Sequence, residues 1–414
     1  MKTALPAFSG YGIELEYMIV DRNTLSVLPI ADQLLYSLAG EYVSEVNCNR
    51  LAWSNELVLH LIELKNSNPE SHIESLPALF QSEIRRINDQ LESMNARLMP
   101  SAMHPWMIPP LEAQLWPHDY AEIYRTYDRI FDCKRHGWAN LQSMHLNLPF
   151  ANDPEFSRLH ADIRLVLPIL PALAASSPVA EGRYTGFLDF RMKNYLTHQM
   201  NIPSTMGKVI PETITDSISY QKQIIAPMYR EIQSQDPAGV LQHEWFNVRG
   251  AVARFVRYAI EIRIIDVQEC PHADLAIAEI VKDVVHALYD QRTSSLVDQQ
   301  AFSTDNLVSI LQTCIENAEQ AVITDREYLA LLGFHAPRCE ARELWRHLFN
   351  SLIPVQTRQS SIWQDAFTTL LEQGPLARRI MRAVHQDFSR ARLITVYREL
   401  CDCLDDGRMF SGVL

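Results

Sequence analysis

The stretch Gly12-Ile13-Glu14-Leu15-Glu16-Tyr17-Met18-Ile19 decides the fold. Its apolar residues Ile13, Leu15, Tyr17 and Ile19 alternate with Gly12, Glu14, Glu16 and Met18, the period of two that marks a β-strand. Residues two apart on a strand share a face, so the carboxylates of Glu14 and Glu16 project to one side, roughly 6–7 Å apart. The opposite face must pack on something apolar, which leaves the carboxylates for a cleft or for solvent. Like charges this close repel unless a cation or a proton lies between them.

The same placement of charge recurs. Leu57 to Leu64 predicts a second strand, with Glu56 and Glu63 in an otherwise apolar run and a turn at Asn66-Ser67-Asn68-Pro69. In Ala259-Ile260-Glu261-Ile262-Arg263-Ile264-Ile265, Glu261 and Arg263 share one face inside an isoleucine run. Ser143-Met144-His145-Leu146-Asn147-Leu148 aims Ser143, His145 and Asn147 to one side. Gathered in one sheet, these residues make a concave polar surface of hard oxygen ligands, suited to Mg²⁺ or Mn²⁺. No cysteine or histidine spacing supports structural zinc. Mg²⁺ among carboxylates commonly serves phosphates, yet neither GxxxxGK[ST] nor a strand-following GxGxxG occurs. A nucleotide would have to be held through metals and arginines, for which Arg183, Arg191, Arg249, Arg254, Arg257 and Arg263 are available. His60 points away from Glu63 on an ideal strand, and His104, beside Pro105 and Trp106, reads as a packed loop histidine.

Between the strands, Ser71-His72-Ile73-Glu74 has capping-box spacing. After it, Ile73, Leu76, Phe80, Ile84, Ile87, Leu91, Met94 and Leu98 predict one long amphipathic helix. Short strand-like pieces follow at 98–104 and 140–148, helix from about Phe156 to Ala175, and a loop over 181–195. Trp245 to Val267 again reads as β, and from about Ala273 onward the pattern is helical. This order predicts an α+β fold with one largely antiparallel sheet. The chain reads as a single catalytic domain, residues 1–414, with a sheet-bearing core of about 1–272 and a helical portion of about 273–414.

Composition narrows the partners. The 414 residues carry 37 basic and 50 acidic side chains, a net charge of −13, which argues against a phosphate backbone as ligand. The most apolar stretch, Leu165 to Ala180, is broken by Pro168, Pro171 and Pro178 and is too short to span a bilayer. No apolar leader follows Lys2. Seven scattered cysteines fit reduced thiols in a cytoplasmic protein, and a homo-oligomer is the expectation from base rates.

Several motifs taken together resemble the glutamate–cysteine ligase type 2 family, ATP-dependent carboxylate–amine ligases related in fold to glutamine synthetase. They are Gly12-Ile13-Glu14-Leu15-Glu16, Glu56-x6-Glu63, Ala175-Ser176-Ser177-Pro178 with Gly182-Arg183-x-Thr185-Gly186 and Arg191, and Glu261-Ile262-Arg263-x-x-Asp266. Gln373-Gly374-Pro375-Leu376-Ala377-Arg378-Arg379 resembles the family's C-terminal helical portion. The resemblance implies a curved, mainly antiparallel sheet forming a half-funnel, with helices outside. It also implies ATP with Mg²⁺ or Mn²⁺, and an acyl phosphate that an amine attacks to give an amide. Carried over position by position, Glu14, Glu16, Glu56, Glu63, His145 and Glu261 match metal ligands, and Arg263 matches the arginine that steadies the transferring phosphoryl group. Glu261 and Arg263 are thereby the catalytic pair, and Arg183, Arg249 and Arg254 fall where substrate or nucleotide contacts are expected.

The resemblance departs at Ala102-Met103-His104-Pro105, where relatives have Gly-Thr-His-Pro, at Ser143-Met144-His145 for His-x-His, and at Asn247-Val248-Arg249-Gly250 for Asp-x-Arg-Pro. The metal positions are kept while pocket positions differ, so the expected substrates are a carboxylate and an amine, with glutamate and cysteine one possible pair. Two other classes remain open: a metal-dependent hydrolase or kinase on this scaffold, and a non-catalytic binding relative.

Overall fold

The computed structural model describes residues 4–413; Lys2, where the leader reading began, lies outside them. Its centre is an eight-stranded antiparallel sheet. In chain order the strands are β1 (Gly12–Asp21), β2 (Glu45–Cys48), β3 (Leu51–Asn55), β4 (Leu61–Asn66), β5 (Ala96–Met99), β6 (Ser143–Pro149), β7 (Ala251–Arg254) and β8 (Ala259–Asp266). They are ordered β2-β3-β4-β1-β6-β8-β7, with β5 also pairing with β1.

One face of this sheet is apolar. Ile13, Leu15, Tyr17 and Ile19 join Ile62, Leu64, Leu146, Leu148, Ile260 and Ile262 in a continuous core. Helices α1 (Pro77–Glu92), α2 (Asp153–Val166) and α3 (Pro271–Tyr289) bury their apolar stripes in the same core. On the other face β1 changes partner along its own length. Glu14 and Glu16 lie at its start, whereas Met18 and Val20 are buried under α4 (Leu376–Val384) and α5 (Arg390–Asp406), together with Met99 and Leu61. The C-terminal helices thus cover one end of the face and leave the carboxylate end uncovered by that cluster.

Several boundaries differ from the sequence expectation. The apolar run 57–64 is a strand only from Leu61. Its earlier part is a buried connection whose backbone bonds go elsewhere: Leu59 donates to Gln114 O at 2.9 Å, and Leu57 O accepts from Trp116 at 3.0 Å. The capping box at Ser71 does not form. Ile73–Ser75 is a 3-10 turn, and α1 starts at Pro77 with no side-chain cap, proline being well placed at a first helical position. The long apolar periodicity also overshoots: the helix ends at Glu92, the chain reverses through Asn95 at φ +52°, and Leu98 lies on β5. Within 245–267, Glu244–Phe246 is a 3-10 turn and β7–β8 form a hairpin. Beyond Cys270 the described regular elements are helices, except for one short antiparallel pair, Val322–Ile323 with Cys339–Glu340. All seven cysteines are free. No helix among the described residues is long and apolar enough to cross a membrane.

Candidate active site

Register assembles the polar residues into rows across the sheet. Glu14 stands opposite Lys65 of β4 on one side and His145 of β6 on the other. Glu16 is paired with Glu63, and Glu63 in turn with Ser54 of β3. Glu261 of β8 faces Asn147 of β6, and a register shift after Ile262 follows where Arg263 sits. β1 and β6 approach so closely that a Cβ on Gly12 would lie 3.0 Å from Cβ of Asn147, which accounts for glycine there.

Each carboxylate has named neighbours. His145 bridges them: its Nδ1 is 2.8 Å from Glu14 Oε2 and 4.0 Å from Glu261 Oε1, while its Nε2 is 3.8 Å from Glu16 Oε1. Glu16 Oε2 accepts from the Ser143 backbone N–H at 2.7 Å and from its hydroxyl at 3.0 Å. Glu14 Oε1 accepts from Asn147 Nδ2 at 3.2 Å. Glu63 Oε1 accepts from Ser54 Oγ at 2.7 Å and lies 2.9 Å from Lys65 Nζ. Glu261 is held from two sides: Arg254 Nη1 donates to Oε2 at 2.7 Å, and Arg263 donates to Oε1 through Nε at 3.0 Å and through Nη2.

The electrostatics follow from this packing. Burial opposes the charge on His145, but the Glu14 hydrogen bond and the charges of Glu14, Glu16 and Glu261 carry its pKa up to about 9. Burial likewise opposes ionisation of Glu261, and Arg263 with Arg254 and His145 overcomes it, so that carboxyl is held well below its usual range. Glu14 is lowered against its burial by the His145 hydrogen bond. Glu16 is raised by burial in spite of His145, and Glu56 is raised well above its usual range by burial and by the charges of Glu16 and Glu63. Around Glu16 and Glu56 the charges of His145 and Lys65 do not offset burial and the neighbouring carboxylates.

Among the described residues, two sets of potential ligand atoms each lie within 4.8 Å of one another: Glu14, Glu63 and His145, and Glu16, Glu56 and Glu63. Glu63 is common to both. The set is carboxylate oxygen with one imidazole, and it matches what hard divalent cations take. Five of the six expected metal-ligand positions thus come together. Glu261 stands beside them with its oxygens committed to two guanidinium groups.

The family comparison bears on this arrangement. A model of glutamate-cysteine ligase family 2 matches residues 11–399. The chain belongs to that family, a family of carbon–nitrogen ligases. An uncharacterised protein of Archaeoglobus fulgidus is 30% identical over 401 residues, spanning 96% of this chain and 99% of that one. A putative glutamate–cysteine ligase 2 of Ralstonia pickettii is 28% identical over 199 residues, 46% of this chain and 48% of its own. Among solved structures, glutamate–cysteine ligase of Francisella tularensis in complex with AMP superposes with a TM-score of 0.61 at 13% identity, covering 95% of this chain and 88% of that one. A bifunctional glutathione synthetase of Pasteurella multocida gives 0.61 at 12% identity, covering 97% of this chain and 53% of its own. These two likenesses establish the fold.

The remaining arginines separate. Arg254 joins the cluster through Glu261. Arg249 is buried elsewhere: Nε and Nη2 donate to Glu212 at 2.6 and 2.8 Å, and Nη1 donates to Ser204 O at 3.1 Å. Arg183 is exposed and pairs with Glu181 at 3.0 Å. Arg191 is buried on Asp266. His60 and His104 are packing residues, each with Nε2 2.8 Å from a backbone carbonyl, of Ala139 and Leu25 respectively. Lys65 and Ser54 of the site, and Glu212 behind Arg249, were not singled out from the sequence. Lys65 shares a strand face with Glu63 two residues away, and that spacing was the available signal.

Proposed function

We propose that the chain is an ATP-dependent carboxylate–amine ligase acting through an acyl phosphate. The observation that carries this reading is the row Glu14, Glu16, Glu63 and His145, with Glu56, beside a Glu261 held by Arg254 and Arg263. Glu14, Glu63 and His145, and Glu16, Glu56 and Glu63, would hold Mg²⁺ or Mn²⁺, and the carboxylate-rich donor set supports the fit. Cations held by these residues would supply charge neutralisation for nucleotide phosphate oxygens.

The chain's own groups supply the rest. Arg263, fixed by Glu261 through Nε and Nη2, keeps Nη1 for the charge that would develop on a transferring phosphoryl group. Arg254 holds the other oxygen of Glu261 and so fixes the carboxylate's orientation. Ser143 and Asn147 position Glu16 and Glu14 by hydrogen bonds. On this reading the polar face would serve as the half-funnel, with α4 and α5 covering its Met18 end, and Arg183 would remain as a contact for incoming substrate. The γ-phosphoryl group passes to a carboxylate oxygen as its bond to ADP breaks. The amine nitrogen then attacks the carbonyl carbon, phosphate leaves, and the nitrogen loses its extra proton. Glutamate and cysteine, the pair in the names of the family and of the Ralstonia relative, are the first substrates to test.

The test is ADP release from ATP with Mg²⁺ and pooled acids and amines, followed by mass spectrometry. A product with the mass of acid plus amine minus water supports the ligase and names its substrates. ADP with a phosphorylated product, or no ATP consumption in any pool, overturns it.

A further inference from the structure

A cavity of about 260 Å³ lies between α4, which carries its Arg378 and Arg382, and helices that pack in the core of the sheet's apolar face. It is separate from the candidate metal site: none of Glu14, Glu16, Glu56, Glu63, His145 and Glu261 lines it, and its apolar wall is Leu173, Trp345 and Leu370. Its polar wall holds a buried carboxylate oxygen without a partner and an exposed guanidinium of opposite sign. Glu319, with its side chain 8% exposed, accepts from Arg378 Nε at 2.6 Å through Oε1, while its Oε2 is buried and has no donor. Arg382 has only the carbonyl of Gln373, at 3.0 Å. Burial and the charge of Arg379 lower its pKa against the charge of nearby Glu319, and no carboxylate lies within ion-pair distance of it among the described residues. The neighbouring Arg346 already has Glu372, at 2.9 Å.

A buried acceptor without a donor, a guanidinium without a carboxylate and an apolar wall are together complementary to a zwitterion. The volume falls below the roughly 300–1,000 Å³ of pockets for drug-sized ligands and cofactors, which favours a smaller molecule than a nucleotide. We propose that this cavity binds a free α-amino acid or a short peptide, with the ammonium donating to Glu319 and the carboxylate taken by Arg382. The site is independent of the ligase reading and lies outside the catalytic face.

Titration calorimetry of the full chain in metal-free buffer tests it, using each common α-amino acid and glycylglycine. The controls are the matching acids without the amino group and amines without the carboxylate. The expected result is saturable binding of at least one zwitterion and of neither control. A response confined to glycylglycine assigns the site to peptides, and a response to free amino acids assigns it to them. Arg382→Ala, a change at an exposed side chain, and Glu319→Gln should each weaken binding at least about tenfold, while Arg263→Ala leaves it unchanged. No binding of any zwitterion, equal binding of a control, survival in Glu319→Gln, or loss in Arg263→Ala with retention in Arg382→Ala would each overturn the proposal.

Discussion

Glu16 and Glu63 stand directly opposite each other on the antiparallel strands β1 and β4, both buried and both on the polar face of the sheet. Like charges so placed destabilise a sheet, by roughly 0.2–1 kcal/mol for a cross-strand pair. Glu16→Gln is therefore expected to stabilise the metal-free protein by roughly 0.5 kcal/mol while weakening its affinity for Mg²⁺ or Mn²⁺. Thermal unfolding with and without added cation checks both signs. A cation-induced rise in Tm of equal size in wild type and variant would remove Glu16 from the metal site.

Glu261 and Arg263 act as one unit. Glu261→Gln and Arg263→Ala should each lower turnover by about 10²–10³ or more, the scale of losing a group that stabilises developing charge. Arg263→Lys should fail as well, because a point charge cannot reproduce a fork held through both Nε and Nη2. Steady-state ADP release is the readout, with circular dichroism to confirm that each variant folds. Near-normal ATP consumption in either Glu261→Gln or Arg263→Ala would detach this strand from the reaction.

Four buried histidines predict acid lability. Burial lowers His60 and His198 to about 4, and His104 and His160 to about 3, against an ordinary value of 6.5. Below pH 6.5 the unfolded chain binds protons that the folded chain refuses, so their contribution is fully present above 6.5 and is lost as pH falls toward 4 and 3. Each adds on the order of one kcal/mol per pH unit to the slope in that window. His160 has no partner on either ring nitrogen, so His160→Leu should flatten the slope measured by urea unfolding across that range. An unchanged slope would mean that His160 takes up its proton in the folded state.

Glu269 and Arg379 form a fully buried ion pair that joins the end of the sheet to α4. Removing one partner strands the other charge, at a cost of about 3–5 kcal/mol. Glu269→Ala is expected to lose that much in denaturant unfolding, and replacing both residues by apolar ones should recover part of it. A loss below about 1 kcal/mol, the value of an exposed pair, would mean that water reaches Arg379.

How far the sequence reached can be followed residue by residue. It placed Glu14 with Glu16, Glu261 with Arg263, and Ser143 with His145 and Asn147, because a period of two fixes which side chains share a face without regard to the rest of the chain. It overran at Ser71 and at 57–60, where a local pattern lost to tertiary hydrogen bonds from residues 114–116 and to a proline at the helix start.

The sequence by itself determined the antiparallel α+β character, the strands that carry charge, and family membership through motifs spread from residue 12 to the C-terminal helices. Only the tertiary structure decided that Glu63 would be shared by two groups of ligand atoms, that Glu56 would reach them from a connection rather than a strand, and that Lys65 would enter the row. It also decided that Arg249 would be spent on Glu212 while Arg254 and Arg263 converge on Glu261. The reason is register. Which residue faces which across two strands depends on how both faces pack and how distant loops close, and periodicity within one strand carries no record of that.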